Sequence, residues 1–109
     1  MQQYALTFPC EDRLKTLLTL RGDTRREHEV GTAFLPAGCR MPEEGLSQHP
    51  RHEVSIILDG HIETTSGGDT ITLKAGDIVS IPTGAEQCTR VIKDTQLIYI
   101  FFDEHSENT

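Results

Sequence analysis

The even spacing of turn signals constrains the fold of this chain more than any other feature. Groups of Gly, Pro and Asp interrupt the sequence about every ten residues, and the runs between them are rich in Val, Ile, Thr and aromatic residues. The runs predicted as strands are residues 30–35, 54–58, 61–65, 70–74, 78–81, 88–92 and 96–102. Many short strands between regular turns are typical of antiparallel sandwiches and barrels. The sequence therefore predicts an all-β fold.

The turn at residues 66–69, SGGD, predicts the clearest β-hairpin. Its two glycines supply the positive φ angles that tight hairpin turns require. Because side chains alternate along a strand, Ile71 and Leu73 should share one face of the second strand, with Thr70 and Thr72 on the other.

Three segments outside these strands allow only coarse interpretation. In residues 11–20 the leucines recur at spacings of three and four, which favours a short N-terminal helix that Gly22 could end. The same segment contains TLLTL, which fits a strand equally, and both alternatives remain open. The charged stretch RREHE at residues 25–29 is interpreted as solvated, and the polar residues 103–109 are expected to fray.

Length and charge limit the classes of function. A chain of 109 residues builds one modest core, so a single domain over residues 1–109 is expected. The net charge is −7 and the cations are scattered, whereas nucleic-acid binders gain affinity from clustered cations. We therefore expect neither nucleic acid nor a membrane surface as a partner. The chain has no basic start followed by an apolar stretch, and its cysteines lack CxxC spacing, which favours a cytoplasmic location with reduced thiols.

Two spaced motifs suggest a family. Ser47-Gln48-His49, Glu53 four residues later, and Gly60 after six intervening residues resemble the first cupin motif, G-x5-HxH-x3,4-E-x6-G. Residues 76–87, GDIVSIPTGAEQ, resemble the second motif, G-x5-PxG-x2-H-x3-N. The resemblance covers about residues 34–102, most of the chain. It implies a double-stranded β-helix, which is a jelly-roll barrel of the RmlC-like type.

The chain departs from this pattern at the positions that hold metal. In metal-binding cupins, two His and the Glu of the first motif and the His of the second bind a divalent ion. Here Ser47 replaces the first His, while His49 and Glu53 match the second His and the Glu. Gln87 replaces the His of the second motif, and Val91 replaces its Asn. The resemblance implies a weakened site for Mn, Fe, Ni or Zn at His49, Glu53 and Gln87, because an amide oxygen is a competent but neutral ligand.

Strand parity selects the side chains that should face a pocket. Positions 47, 49, 51 and 53 have the same parity, so we expect His49 and Glu53 to face the barrel interior together. His52 has the opposite parity and is expected on the outer face. The further residues predicted for the pocket are Ser47, Arg51, Tyr99 and Phe101.

Three functions remain open, since a fold does not fix a function. The first is a metal-dependent enzyme of dioxygenase, isomerase or lyase type, with His49 and Glu53 catalytic, acting on a small oxygen-bearing metabolite. The second is a metal-free module that binds or senses a small molecule in the same pocket. As an enzyme without metal, an isomerase or epimerase is a variant of the first, because a carboxylate and an imidazole can relay a proton. The third is a structural protein in which the motif has no active role.

A second copy of the chain is the expected macromolecular partner. Small cupins are typically homodimers, so the resemblance implies a dimer here. The side chains of Val54, Ile56 and Leu58 form an apolar strand side that needs a cover, and a chain of 109 residues has little material to supply one.

Overall fold

The computed structural model of the protein describes residues 1–11, 13–21 and 27–102. Its eight strands are β1 (Arg13–Arg21), β2 (Glu27–Leu35), β3 (Arg40–Met41), β4 (Ser47–Gln48), β5 (His52–Ser66), β6 (Asp69–Lys74), β7 (Ile78–Ile81) and β8 (Glu86–Phe102). The described residues contain no helix, and hence none long and apolar enough to span a membrane. The all-β prediction is confirmed.

The N-terminal segment forms strand β1, so the helical alternative for it is wrong. β1 pairs antiparallel with β2, and the register shifts between Thr16 and Leu18, where Leu17 is an extra residue. An extra residue at a bulge breaks the alternation of side chains along a strand. Leu14, paired with Ala33, and Leu18, paired with Val30, therefore face opposite sides of the sheet, so the spacing of four that favoured a helix does not mark a common face. Gly22, Arg25, Arg26 and the tail of residues 103–109 lie outside the described residues.

Two long strands organise the sheet, whose order is β1-β2-β8-β5-β6. β5 pairs with β7 through its first half and with β6 through its second, while β8 pairs with β4 and β3 first and then with β2. The two strands pair with each other from His52↔Phe102 to Ser66↔Gln87. Each therefore runs from one half of the sheet into the other, as the strands of a jelly-roll barrel do.

Two breaks predicted from the sequence are instead bends inside these strands. Asp59-Gly60 lies within β5 and Lys93-Asp94 lies within β8, where register shifts between Ile57 and Ile62 absorb the irregularity. Gly60 has a φ of 114°, and a Cβ at this position would overlap Thr95. Glycine is required here by the close approach of β8, and no turn ends the strand.

The hairpin prediction is confirmed. Ser66 pairs with Asp69, and the turn glycines Gly67 and Gly68 have φ angles of 62° and 85°. On β6, Leu73 is buried in the core, whereas Ile71 is 45% exposed because it lies nearer the tip of the hairpin.

The inner faces of the strands form the core. Its buried members are Ala33, Leu35, Ile57, Ile62, Leu73, Val91, Leu97, Tyr99 and Phe101. They come mainly from β2, β5 and β8, and their alternation along these strands is the pattern expected when one face of a sheet is buried.

The opposite side of the sheet, which we call the outer face, is also apolar. Strand register places Ile78, Ile56 and Ile98 in one row, and Val54, Ile100 and Val30 in the next. Ile78 is 64% exposed and the others are half-buried. The segment before β1 crosses part of this face, where Thr32 Oγ1 donates a 2.6 Å hydrogen bond to the Thr7 carbonyl.

Candidate functional site

The inner faces enclose a cavity of about 240 Å³. Its walls are mostly apolar and include Leu14, Ala33, Leu35, Ile62, Val79 and Leu97. Its polar end is formed by Ser47, His49, Glu53, Ser55 and Gln87. An apolar cavity with a few polar groups at one end is the usual form of a small-molecule site.

Six of the seven residues predicted for the site line this cavity, namely Ser47, His49, Glu53, Gln87, Tyr99 and Phe101. The chain forms β4, leaves the sheet at residues 49–51 and re-enters it as β5, and pairing of Ser47 with Gln87 fixes this end of the barrel. Arg51, the seventh, is not among the lining residues. It contacts Glu29, which was predicted to lie in a solvated stretch.

Glu53 is the centre of the polar end. Gln87 Nε2 donates a 3.2 Å hydrogen bond to Glu53 Oε1, and Ser55 Oγ donates a 2.9 Å bond to Oε2. His49 Nε2 lies 3.7 Å from Glu53 Oε1, and the exposed fractions of the His49 and Glu53 side chains are 41% and 16%. His49 therefore lies at the mouth of the cavity and Glu53 inside it. Ser55 shares the parity of Glu53, so the sequence pattern could have included it.

The residues at the polar end do not fit a transition-metal centre. A carboxylate only accepts hydrogen bonds, so the Gln87 amide must present its NH₂ group, and not its oxygen, to Glu53. In the parts of the chain described, no group of three or more His, Cys, Asp and Glu side chains could hold a metal ion. Catalytic metal sites normally use about three protein ligands, and here only His49 and Glu53 have strong donors.

A second polar cluster, missed by the sequence interpretation, lies on the other side of Phe101. Phe101 on β8 pairs with Glu53 of β5 on one side and with Glu29 of β2 on the other. Glu29 accepts hydrogen bonds from Tyr99 Oη at 2.6 Å, Thr16 Oγ1 at 2.8 Å and Arg51 Nη2 at 3.3 Å. The guanidinium of Arg51 also lies 4.7 Å above the centre of the Phe101 ring.

Parity along β2 was the signal that could have identified Glu29. Glu29 has the same parity along β2 as Gly31, Ala33 and Leu35. Ala33 and Leu35 are buried in the core, and Gly31 lies against the Tyr99 side chain. A Cβ at Gly31 would overlap Tyr99 Oη and the Lys15 carbonyl. Glycine therefore leaves the space in which the Tyr99 side chain crosses β2 to reach Glu29.

The pKa values in this cluster follow from burial and hydrogen bonding. Burial alone would raise the pKa of Glu29, but the hydrogen bonds from Tyr99, Thr16 and Arg51 and the Arg51 charge outweigh it, so the pKa lies below its ordinary value. Burial and the hydrogen bond to Glu29 raise the pKa of Tyr99 to about 12. Tyr99 is therefore a neutral donor to an ionised carboxylate at neutral pH.

His52 lies on the outer face, as its parity predicts. Its ring stacks on Phe102 with centroids 4.8 Å apart, and its Nε2 lies 2.6 Å from Ser80 Oγ. It does not join His49 at the cavity, although the two histidines are close in the sequence.

Comparison with known proteins agrees with this architecture. A family model described as Cupin domain, Cupin_2, matches residues 33–103. Among curated protein sequences none matches the chain. Many solved structures resemble it in fold, and three of them illustrate the similarity. An RmlC-like cupin with a double-stranded β-helix fold from Methanocaldococcus jannaschii shares 16% identity over 94% of this chain and 91% of its own, with a TM-score of 0.71.

The other two structures are of KdgF and of a dioxygenase. KdgF from Halomonas sp. shares 15% identity over 99% of this chain and 92% of its own, with a TM-score of 0.69. A mutant of salicylate 1,2-dioxygenase from Pseudoaminobacter salicylatoxidans shares 16% identity over 68% of this chain and 20% of its own, with a TM-score of 0.61. These similarities concern the fold, and the family match over residues 33–103 goes further: this chain belongs to the cupin domain family.

Proposed function

We propose that this cupin is a metal-independent binding protein for a small, largely apolar molecule held in the cavity. The observation that carries the proposal is the donor set at the polar end, where His49 and Glu53 are the two strong metal ligands and no third His, Cys, Asp or Glu of the described residues joins them. Ser47 and Gln87 stand where imidazole ligands would be needed for a metal centre.

The size of the cavity limits the ligand. An engineered apolar cavity of about 150 Å³ holds benzene, which has about six non-hydrogen atoms. By the same proportion a cavity of about 240 Å³ accommodates about ten non-hydrogen atoms. The ligand is thus a small metabolite, and the apolar walls provide most of its binding free energy through burial of its surface.

Metal analysis tests the proposal. We expect protein purified without chelator or nickel resin to contain far less than one metal per chain by elemental analysis. Mn²⁺, Fe²⁺, Ni²⁺ and Zn²⁺ should leave its melting temperature unchanged, whereas toluene should raise it by binding the folded state. Near-stoichiometric metal that is lost in His49→Ala would overturn the proposal in favour of the metal-dependent enzyme.

Matched variants test the metal site and the binding of toluene separately. The double variant Ser47→His/Gln87→His restores the imidazoles of the family motif and should gain metal binding, and Gln48→His/Glu86→His adds them at the exposed neighbouring positions as a control. Val79→Phe should fill the cavity and abolish the effect of toluene. Ile78→Phe adds the same ring to the outer face of β7 and should leave that effect intact.

We also propose that two copies associate through the outer face. The rows formed by Ile78, Ile56 and Ile98 and by Val54, Ile100 and Val30 contain no charged residue. A contiguous apolar surface of this kind usually marks an interface. Leu58, predicted with Val54 and Ile56 as part of the covered side, is 39% exposed.

The cytoplasmic location expected from the sequence stays a prediction.

A further inference from the structure

We propose that the molecule bound in the cavity carries a primary ammonium group, placed against Glu53 and Gln87, on an otherwise apolar body. This inference rests on the proposed function and names the class of ligand that the cavity selects. It concerns the head group of the ligand, which the apolar walls do not determine.

The polar end offers more hydrogen-bond acceptors than donors. An ionised carboxylate has about four acceptor positions, and Glu53 uses one on each oxygen for Ser55 and Gln87. Gln87 lines the cavity, and its amide oxygen accepts no hydrogen bond from any residue that the structure describes. A group that donates several hydrogen bonds would satisfy both residues at once, and an ammonium has three donors.

The charge at this end points the same way. Among the residues that line the cavity, Glu53 is the carboxylate and His49 is the single side chain able to carry a positive charge. His49 lies at the mouth, 3.7 Å from Glu53 Oε1, which is beyond hydrogen-bonding distance. The nearby guanidinium of Arg51 is held by Glu29 and by the Phe101 ring, outside the lining.

An anionic head group would therefore be unfavourable in this cavity. It would bring a second negative charge beside Glu53 in a partly dehydrated space, where like charges repel more strongly than in water. A neutral hydroxyl would fit sterically but would lack the charge-assisted hydrogen bond that an ammonium makes to a carboxylate.

Three probes with the same ring test the inference: benzylamine, benzyl alcohol and benzoate, titrated into the full chain at neutral pH by calorimetry or NMR. We expect benzylamine to bind about tenfold more tightly than benzyl alcohol, because charge-assisted hydrogen bonds are about twice as strong as neutral ones. Benzoate should bind most weakly or not at all. Benzoate binding as tightly as benzylamine would overturn the inference.

Two carboxylate variants show whether the preference comes from Glu53. Glu53→Gln keeps the shape of the side chain and removes its charge, so the advantage of benzylamine over benzyl alcohol should disappear. Glu29→Gln is the matched control, because Glu29 flanks the same Phe101, has a similarly buried side chain and does not line the cavity. It should retain the preference, and loss of the preference in Glu29→Gln alone would contradict the assignment.

The outcomes separate the two proposals, and Gln87→Leu covers the case in which Glu53→Gln does not fold. Gln87→Leu removes the amide acceptor and should weaken benzylamine severalfold more than benzyl alcohol. If toluene and benzyl alcohol bind without any preference for benzylamine, the head-group inference fails and the proposed function stands. If no probe binds, toluene included, the proposed function fails as well.

Discussion

Tyr99 shows how one side chain joins three strands. It projects from β8, crosses β2 above Gly31 and donates to Glu29, whose carboxylate also accepts a hydrogen bond from Thr16 on β1. A buried hydroxyl that donates to an ionised partner contributes more than an ordinary hydrogen bond. The pair therefore stabilises the attachment of the first two strands to the rest of the sheet.

Tyr99→Phe tests this contribution. We expect the free energy of unfolding, measured by urea denaturation, to fall by about 1–2 kcal/mol. A larger loss is not expected, because the Glu29 side chain is 19% exposed and solvent screens its charge. Leu97→Met, on the same inner face of β8, is a volume-conserving control that should cost less. A loss close to zero in Tyr99→Phe would show that the hydroxyl contributes nothing.

The pH dependence follows from the lowered pKa of Glu29. Its folded pKa lies below the ordinary 4.5, so ionised Glu29 stabilises the protein above about that pH. This stability is lost as the pH falls through the lower, folded pKa. The stability difference between wild type and Tyr99→Phe should therefore shrink in acid. Tyr99 behaves oppositely: its neutral form stabilises the protein below its ordinary pKa of 10.0, and that stability is lost as the pH rises toward the folded pKa of about 12.

At the scale of elements, the sequence predicted where strands and turns lie better than it predicted which strands continue through a bend. A glycine that needs a positive φ looks the same locally whether it ends a strand, as Gly67 does, or lies in a bulge, as Gly60 does. The pairing of β5 with β8 decides between them, and that pairing joins distant parts of the chain. Parity along β2 indicates which face Glu29 occupies but not its partners, since Arg51 and Tyr99 lie 22 and 70 residues away.

The motif residues were easier to place because they depend on local parity. Ser47, His49 and Glu53 have equal parity, and all three line the cavity. Arg51 has the same parity but does not line it, because the chain leaves the sheet at residues 49–51. The hydrogen-bond pattern of Glu53 was not predictable, because it is set by Gln87 from another strand and by the rotamers of both side chains.

Gly60→Ala tests the bend in β5. Gly60 needs a positive φ and touches Thr95, so we expect a loss of about 3 kcal/mol or more in unfolding free energy. The control is Gly68→Ala, whose φ of 85° is also positive but which has no atom near the added Cβ. It should cost about 1 kcal/mol. Similar losses in chemical denaturation would contradict the requirement for space at Gly60.

At the scale of the whole molecule, the outer face predicts a homodimer. Light scattering over a concentration series should give twice the chain mass of 12.2 kDa. Ile78→Lys places a charge in the apolar row and should shift the mass toward that of the monomer. Ile78 is 64% exposed, so the monomer should still fold. Leu46→Lys, at a similarly exposed position outside these rows, should stay dimeric, and a wild type that is monomeric at every concentration would refute the dimer.

The cavity also has a mechanical consequence. A chain of 109 residues that leaves about 240 Å³ open inside its barrel has a folded state larger in total volume than close packing would allow. Unfolding removes the part of this space that water does not fill, so hydrostatic pressure favours the unfolded chain. A bound molecule that fills the barrel removes this unfilled space from the folded state. The loaded protein should therefore unfold at a higher pressure than the empty one.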